Sequence, residues 1–471
     1  MHLSYCTNVH PAEDLPGIVR QLDEHAGPVR RAAGLDRLGV GLWMPVDVAS
    51  TLADDPRARA ALADALERNG LELRTVNAFP YRGFHDDVVK LAVYRPDWTT
   101  PARLAYTLDC ARALAALLPD GAEGSISTLP LGWRDGWDAA ASRAAEQNLG
   151  RLVEGLAAIE RETGRTVRVA IEPEPGCILD DVADVVAWLG ARPALIADGR
   201  LGLCLDTCHL AVSFADPAAV VAAATAAGVR VVKVQASVAL EVPDPEAPGA
   251  LDALRPFAEE RYVHQVRSAG GTHAADDLPE LLDADEPWPG DQAWRVHVHI
   301  PLHARPAAPL RATTEVLRAA VDAVLAAPGG ADAHLDVETY TWSVLPASLQ
   351  PDTLADGIAA ELRWVREHLP HALTDSAPDA APAAPAPEDR DATPAVPAPE
   401  DRDAAPAAPA SEDRDATGAV PLPAVGAPTA AAPPRGRELA GVAASGPSAR
   451  SPHASDIAGS PASGIDGGSR T

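Results

Sequence analysis

Through residues 1–371, short apolar runs alternate with longer stretches rich in Ala, Leu and Arg. The runs 3–9, 38–44, 71–79, 124–129, 167–172, 201–206, 229–236 and 334–339 read as β-strands. Helical stretches lie between them, among them 58–69, 102–118 and 139–163, and Gly70 and Gly164 follow two of these as C-terminal stops. Eight strands, each followed by a helix, predict an α/β fold of the (β/α)8 TIM-barrel type. A doubly wound open sheet is the alternative, but no G-x-G-x-x-G follows the first strand. The run 294–301 also reads as β and falls in a long insertion after strand seven.

The alternation stops near Pro370. From residue 372 to 471 there is no Phe, Trp, Tyr, Cys or Met, and the string EDRDA recurs at Glu388, Glu400 and Glu412 within Pro/Ala-rich sequence. Such a segment cannot bury enough apolar surface to offset its ordering entropy. The expected organisation is therefore a barrel over 1–371 and a disordered acidic tail over 372–471.

Charge and cysteine content narrow the class. The net charge of −28 opposes a nucleic-acid partner, because phosphate binding needs a basic surface. The five cysteines form no C-x-x-C pair and read as reduced, intracellular thiols. The opening residues lack the pattern of a secretory signal, and no apolar run reaches the roughly 18 residues a membrane span needs. The longest candidate, 217–229, is bounded by Asp216 and Arg230. A cytoplasmic protein without a membrane span is expected.

A barrel places chemistry at the carboxyl ends of its strands. Asn8 and His10, Trp43, Asn77, Glu172, Asp206 with His209, Gln235 and Glu338 fall there. Glu172 lies in VAIEPEPG, Asp206 and His209 in LCLDTCH, and Glu338 in LDVETYTW. Each carboxylate alone reads equally as a strand-end cap or an ion-pair partner. Three converging on one barrel mouth repel one another unless a cation or protons neutralise them. Carboxylate oxygen mixed with imidazole suits Mn, Mg or Zn. His297 and His299 are expected to point to opposite faces of their strand, so that at most one is a ligand. The stretch 77–98, dense in aromatics and carrying His85 and Lys90, reads either as a lid that recognises substrate or as a packed surface loop. Cys204 and Cys208 read as buried structural thiols.

The strings LDTCH and IEP and the terminal Glu338 resemble the xylose-isomerase-like TIM barrels. That superfamily holds sugar isomerases, sugar and inositol epimerases or dehydratases, and metal-dependent AP endonucleases. MHLSYCTNVHP, the NAFPYRGFH and VYRPDW strings, STLPLGW, CHLAVSF and VKVQAS resemble the EboE family of metabolite traffic proteins over roughly residues 1–370. That family is linked to an operon for moving or processing secondary metabolites.

The resemblance implies Glu172, Asp206 and Glu338 as metal ligands, with Glu172 and Glu338 also forming a catalytic acid/base pair. His209 would bind substrate or a second metal. Gln235, in QAS, stands where the epimerases carry a ligand His, and an alternative register puts Lys233 there. His299, followed by Ile300-Pro301, would supply the imidazole instead. Trp43, Asn77, His85, His209 and Lys233 complete the implied substrate site. The implied function is a divalent-metal-dependent isomerase or epimerase acting on a small polyhydroxylated or carbonyl metabolite, with room for partner proteins of the same pathway. A non-catalytic binding or carrier protein on the same fold is the second reading, and a phosphodiester hydrolase the third.

Overall fold

All eight anticipated runs form strands of one closed parallel barrel. The structure, a computed structural model, describes residues 1–285 and 288–374. In chain order the strands are β1 (His2–Cys6), β2 (Leu38–Trp43), β3 (Leu71–Asn77), β4 (Gly124–Thr128), β5 (Val167–Ile171), β6 (Leu201–Asp206), β7 (Val231–Ala236), β8 (Val238–Val242), β9 (Val266–Ser268), β10 (Ala274–Ala275), β11 (Trp294–Ile300), β12 (Arg311–Ala312) and β13 (His334–Val337). The barrel closes in the order β1-β13-β7-β6-β5-β4-β3-β2. β2, β4, β6, β7 and β13 are buried along their whole length, as parallel strands covered by helices outside and packed side chains inside must be.

Local chemistry sets the element ends. Helices Pro56–Arg68 and Pro101–Leu117 begin earlier than the apolar periodicity suggests, because proline at the first helical position has the φ a helix needs and no N–H to leave unpaired. Asp55 and Thr100 cap them. Helix Ala139–Thr163 is capped by Asp138 and stopped by Gly164 in the left-handed region. β1 stops three residues short of its expected end, and a 3-10 turn over Thr7–Val9 follows it.

The long insertion is a folded unit in its own right. β8 starts one residue after β7, at the barrel mouth, and a second sheet forms in the order β10-β9-β11-β8-β12. β11 pairs antiparallel with both β8 and β9. The run expected at 294–301 is its central strand, and β8, within the same insertion, pairs with it.

Inside the barrel the lower layer is polar. Lys233 Nζ lies 2.8 Å from Asp336 Oδ2, and both side chains are fully buried. Ser4 Oγ donates to Asp336 Oδ1 at 2.6 Å. Gly41 makes the room: a Cβ there would overlap the Asp336 carboxylate. Packing continues to the last described residues. The Met1 ammonium donates to Ala372 O at 2.7 Å, and Thr374 N donates to Met1 O at 3.0 Å. The boundary expected after residue 371 therefore lies three residues inside the packed chain. The expected tail beyond Thr374 falls outside the described residues. Among the described residues no helix is long and apolar enough to cross a membrane.

Two outcomes follow for stability. Asp336→Ala strands the Lys233 charge in the core and should cost about 3–5 kcal/mol by chemical denaturation, whereas the double change Lys233→Met with Asp336→Leu should cost much less. Equal losses in the two proteins would show that shape, not charge, matters at this pair. Truncation after Thr374 should leave the melting temperature within about 1–2 °C.

Candidate metal centre and substrate cavity

Three barrel strands deliver three carboxylates to one point. Asp206 ends β6, and Glu172 and Glu338 each follow the last residue of their strands, β5 and β13. All three are buried, and one oxygen from each lies within 4.8 Å of the others. Asp206 Oδ1 accepts from Cys208 N at 2.7 Å, His209 N at 2.9 Å and Ser237 Oγ at 2.8 Å, so it caps the short helix that follows β6. Its Oδ2 has no partner. Glu338 Oε1 accepts from Asn8 Nδ2 at 2.7 Å and Asn77 Nδ2 at 2.9 Å. Glu172 Oε2 is also unpartnered.

Two further groups are left open beside them. The His299 Nδ1 bonds to Glu338 O at 2.9 Å, which leaves Nε2 without a partner and 3.9 Å from Asp206 Oδ2. Gln235, the register neighbour of Asp206 on β7, is fully buried with neither amide atom bonded. Buried polar atoms are nearly always satisfied, so four residues with open atoms in one place fit a cation held between them. Without one, burial and then the Asp206 charge push the Glu172 carboxyl up to about 7. Burial, followed by Glu172 and Asp206, pushes Glu338 well up. For Asp206 burial acts in the same sense, but His209, His299 and the bonds it accepts outweigh it and hold the pKa below the usual range.

A second network adjoins the first. His209 Nδ1 donates to Pro173 O at 2.7 Å. Its Nε2 lies 3.0 Å from both Glu174 Oε2 and His297 Nε2. Gln265 commits its amide nitrogen to Pro175 O, Tyr94 OH and Glu174, so it presents its oxygen to His297 Nδ1 at 2.6 Å. His297 is then the Nδ1–H tautomer, and its Nε2 is an acceptor. His209 Nε2 must supply the proton, which makes His209 an imidazolium. Burial opposes that charge, but Asp206, Glu174 and Glu172 outweigh burial and raise the pKa to about 9. Burial, then the neighbouring His209 charge, keeps His297 well below the ordinary range.

Several expectations are corrected here. His297 and His299 do not point to opposite faces. Residues two apart on a strand share a face, and both rings line the cavity, 5.2 Å apart between centroids. Lys233 is not at the strand-seven ligand position; it lies two residues before Gln235, deeper in the barrel, and is held by Asp336. Trp43 and His85 are not among the residues that line the cavity. The indole of Trp43 donates to Pro80 O at 3.1 Å, and His85 Nε2 bonds to Asn8 O at 2.7 Å, so both brace the loops that carry cavity residues. Asn77 and His209 do line it. Glu174, Gln265 and the inward aim of His297 were missed. The second Glu of VAIEPEPG was the available signal for Glu174, two residues after a strand-end carboxylate. Cys204 and Cys208 are buried, free thiols.

The cavity at the barrel mouth has about 520 Å³ of space, counted together with its opening to solvent. Phe79, Pro80, Phe84, Val89, Val93 and Tyr94 from the aromatic-rich stretch line it. That stretch is tied down by Lys90, whose Nζ donates to Glu259 O at 3.1 Å, Tyr262 O at 2.7 Å and Asp277 Oδ2 at 2.6 Å in the insertion.

The sequence matches no protein-family profile and no curated protein. Among solved structures, the chain is similar to D-allulose 3-epimerase from Methylomonas sp. in complex with D-allulose, at 12% identity over 78% of this chain and 97% of that one, with a TM-score of 0.43. It is similar to L-ribulose 3-epimerase, at 13% identity over 79% and 95%, with a TM-score of 0.41. It is also similar to the IolI protein with a bound zinc atom, at 11% identity over 79% and 100%, with a TM-score of 0.40.

Proposed function

We propose that the chain is a divalent-metal-dependent isomerase or epimerase-like protein acting on a small polyhydroxylated or carbonyl metabolite, in a metabolite-processing role like that of the EboE family. Support comes above all from the open atoms of Glu172, Asp206, Gln235 and His299 gathered at the mouth of one barrel. Glu172, Asp206, Glu338 and His299 would hold the cation, with the Gln235 amide oxygen as a further, weaker donor. Mn, Mg and Zn all suit this mixture of donors. The bound cation supplies positive charge that neutralises the carboxylates and polarises a substrate oxygen.

The side chains themselves have separable tasks. Glu172 and Glu338 flank the cavity floor as the proton-transferring pair, taking a proton from one face of a carbon and returning it at the other. Asn8 and Asn77 fix one oxygen of Glu338 and so set the direction of the other. The His209 imidazolium, both of whose N–H groups are held by Pro173, Glu174 and His297, sets a fixed positive charge beside the cavity that favours a substrate oxygen gaining negative charge. The second reading, a binding or carrier protein, is favoured by Gln235, whose amide is a poorer ligand than imidazole.

Metal should stabilise the wild-type chain by about 2.7 kcal/mol at a hundredfold excess over Kd. Glu338→Gln keeps an acceptor for Asn8 and Asn77 but removes a charge; its metal-free form should melt higher than metal-free wild type, and its metal response should be weaker. His299→Ala should abolish tight binding in calorimetric titrations of Mn, Mg and Zn, and Gln235→His, which exchanges a weak donor for imidazole, should tighten it. A wild type that takes up no metal in these titrations would leave the carrier reading. The proton on Glu172 competes with the cation, because its pKa is raised to about 7. Apparent metal affinity should therefore rise by at least about tenfold per pH unit below about 7, and Glu338, whose pKa is also raised, should prolong the rise at higher pH.

A further inference from the structure

The floor of the cavity and its upper walls differ in kind. The floor carries Glu172, Glu174, Glu338 and His209. The walls above are Phe79, Phe84, Val93, Tyr262 and Tyr340, drawn from three separate parts of the chain. Phe84, Tyr262 and Tyr340 form a mutual cluster, with centroid separations of 5.2, 5.3 and 4.9 Å. Phe79 stands edge-on to Tyr94 at 6.0 Å.

The Phe79, Phe84 and Val93 faces offer nothing to a polar ligand, and the one open hydroxyl identified on these walls, that of Tyr262, is a single polar contact. Among the described lining residues Lys90 is the single Lys or Arg, and its ammonium is fully engaged by Glu259, Tyr262 and Asp277, so only its stem faces the cavity. The Tyr94 hydroxyl is spent on Glu174. A fully hydroxylated ligand would leave several hydroxyls desolvated without partners against Phe79, Phe84 and Val93. A phosphate would meet three carboxylates, and the His209 imidazolium beside them has both N–H groups already held by Pro173, Glu174 and His297.

We propose that the cavity takes an uncharged ring compound whose vicinal oxygens meet the Glu172–Glu338 floor and whose apolar body fills the Phe79, Phe84, Val93, Tyr262 and Tyr340 walls, in preference to a fully hydroxylated or phosphorylated sugar. This narrows the substrate class of the proposed metal centre and rests on that function at the oxygen-bearing end. The apolar end does not depend on it, because the walls are present whether or not a cation is bound.

Three probes share one ring and one pair of vicinal oxygens: cis-1,2-cyclohexanediol, myo-inositol and myo-inositol 1-phosphate. Their binding to the full chain is measured by ligand-detected NMR and calorimetry, with and without Zn, alongside a separate titration of Zn alone. The diol should bind at least about tenfold more tightly than myo-inositol, since each CH2 buried in place of a hydroxylated carbon favours association. The phosphate should not bind. Phe84→Ser and, independently, Val93→Asn should each reduce the preference for the diol severalfold while leaving Zn affinity within about twofold. Equal or tighter binding of either inositol, a preference that survives both substitutions, or no diol binding at millimolar concentration overturns the proposal. Absence of Zn binding with the diol preference intact overturns the metal centre alone.

Discussion

Three carboxylates buried at one barrel mouth are the constraint on which the rest of the structure turns. In a medium of low polarity, like charges at such separations cannot all stay ionised unless positive charge stands close by. The protein places that charge on three sides. Lys233 lies below, tied to Asp336. The His209 imidazolium lies beside Asp206 and Glu174. The unpartnered oxygens of Glu172 and Asp206, with His299 Nε2, leave the third side to a cation. Gly41 belongs to the same arrangement, since any side chain there would displace the Asp336 carboxylate that keeps Lys233 in place.

The barrel alone does not finish the site. His297 and His299 come from the insertion sheet and Gln265 from the residue just before β9, and His299 is tied back to the barrel through Glu338 O. Glu361 strengthens that tie from the last helix, accepting from Leu302 N at 3.1 Å and Thr339 Oγ1 at 2.7 Å. One buried carboxylate thus holds the chain just past β11 and just past β13 in a fixed relation. The 77–98 stretch is joined to the same insertion through Lys90, which sits in the left-handed region at φ 39°. Stretch and insertion are thus tied together above a polar floor.

The eight strands were legible because a parallel strand buried on both faces leaves an unbroken apolar run that no neighbouring helix imitates. Glu172, Asp206 and Glu338 were legible only together, because three carboxylates ending strands of one barrel would crowd like charges at one mouth. Trp43, His85 and Lys233 show the boundary of that logic. Trp43 ends β2, His85 lies in the loop after β3 and Lys233 lies within β7, and only packing decides whether each side chain reaches the cavity, braces a loop or turns into the barrel. His297 shows a different one: the twofold alternation of a strand puts it on the same face as His299, yet which face meets the barrel depends on how the insertion docks.

By itself, then, the order of residues determined the barrel, the sense in which its strands run, and the carboxylate trio, because these follow from local periodicity and from chemistry carried at strand ends. Only the tertiary structure decided the partners of that trio. Glu174 meets His209 and His297, Lys233 meets Asp336, and Lys90 meets Asp277 across separations of 35, 103 and 187 residues or more in the chain. Pairings at such distances leave no periodic trace, since they depend on the closure of the barrel and the docking of a separate sheet rather than on any neighbouring residue.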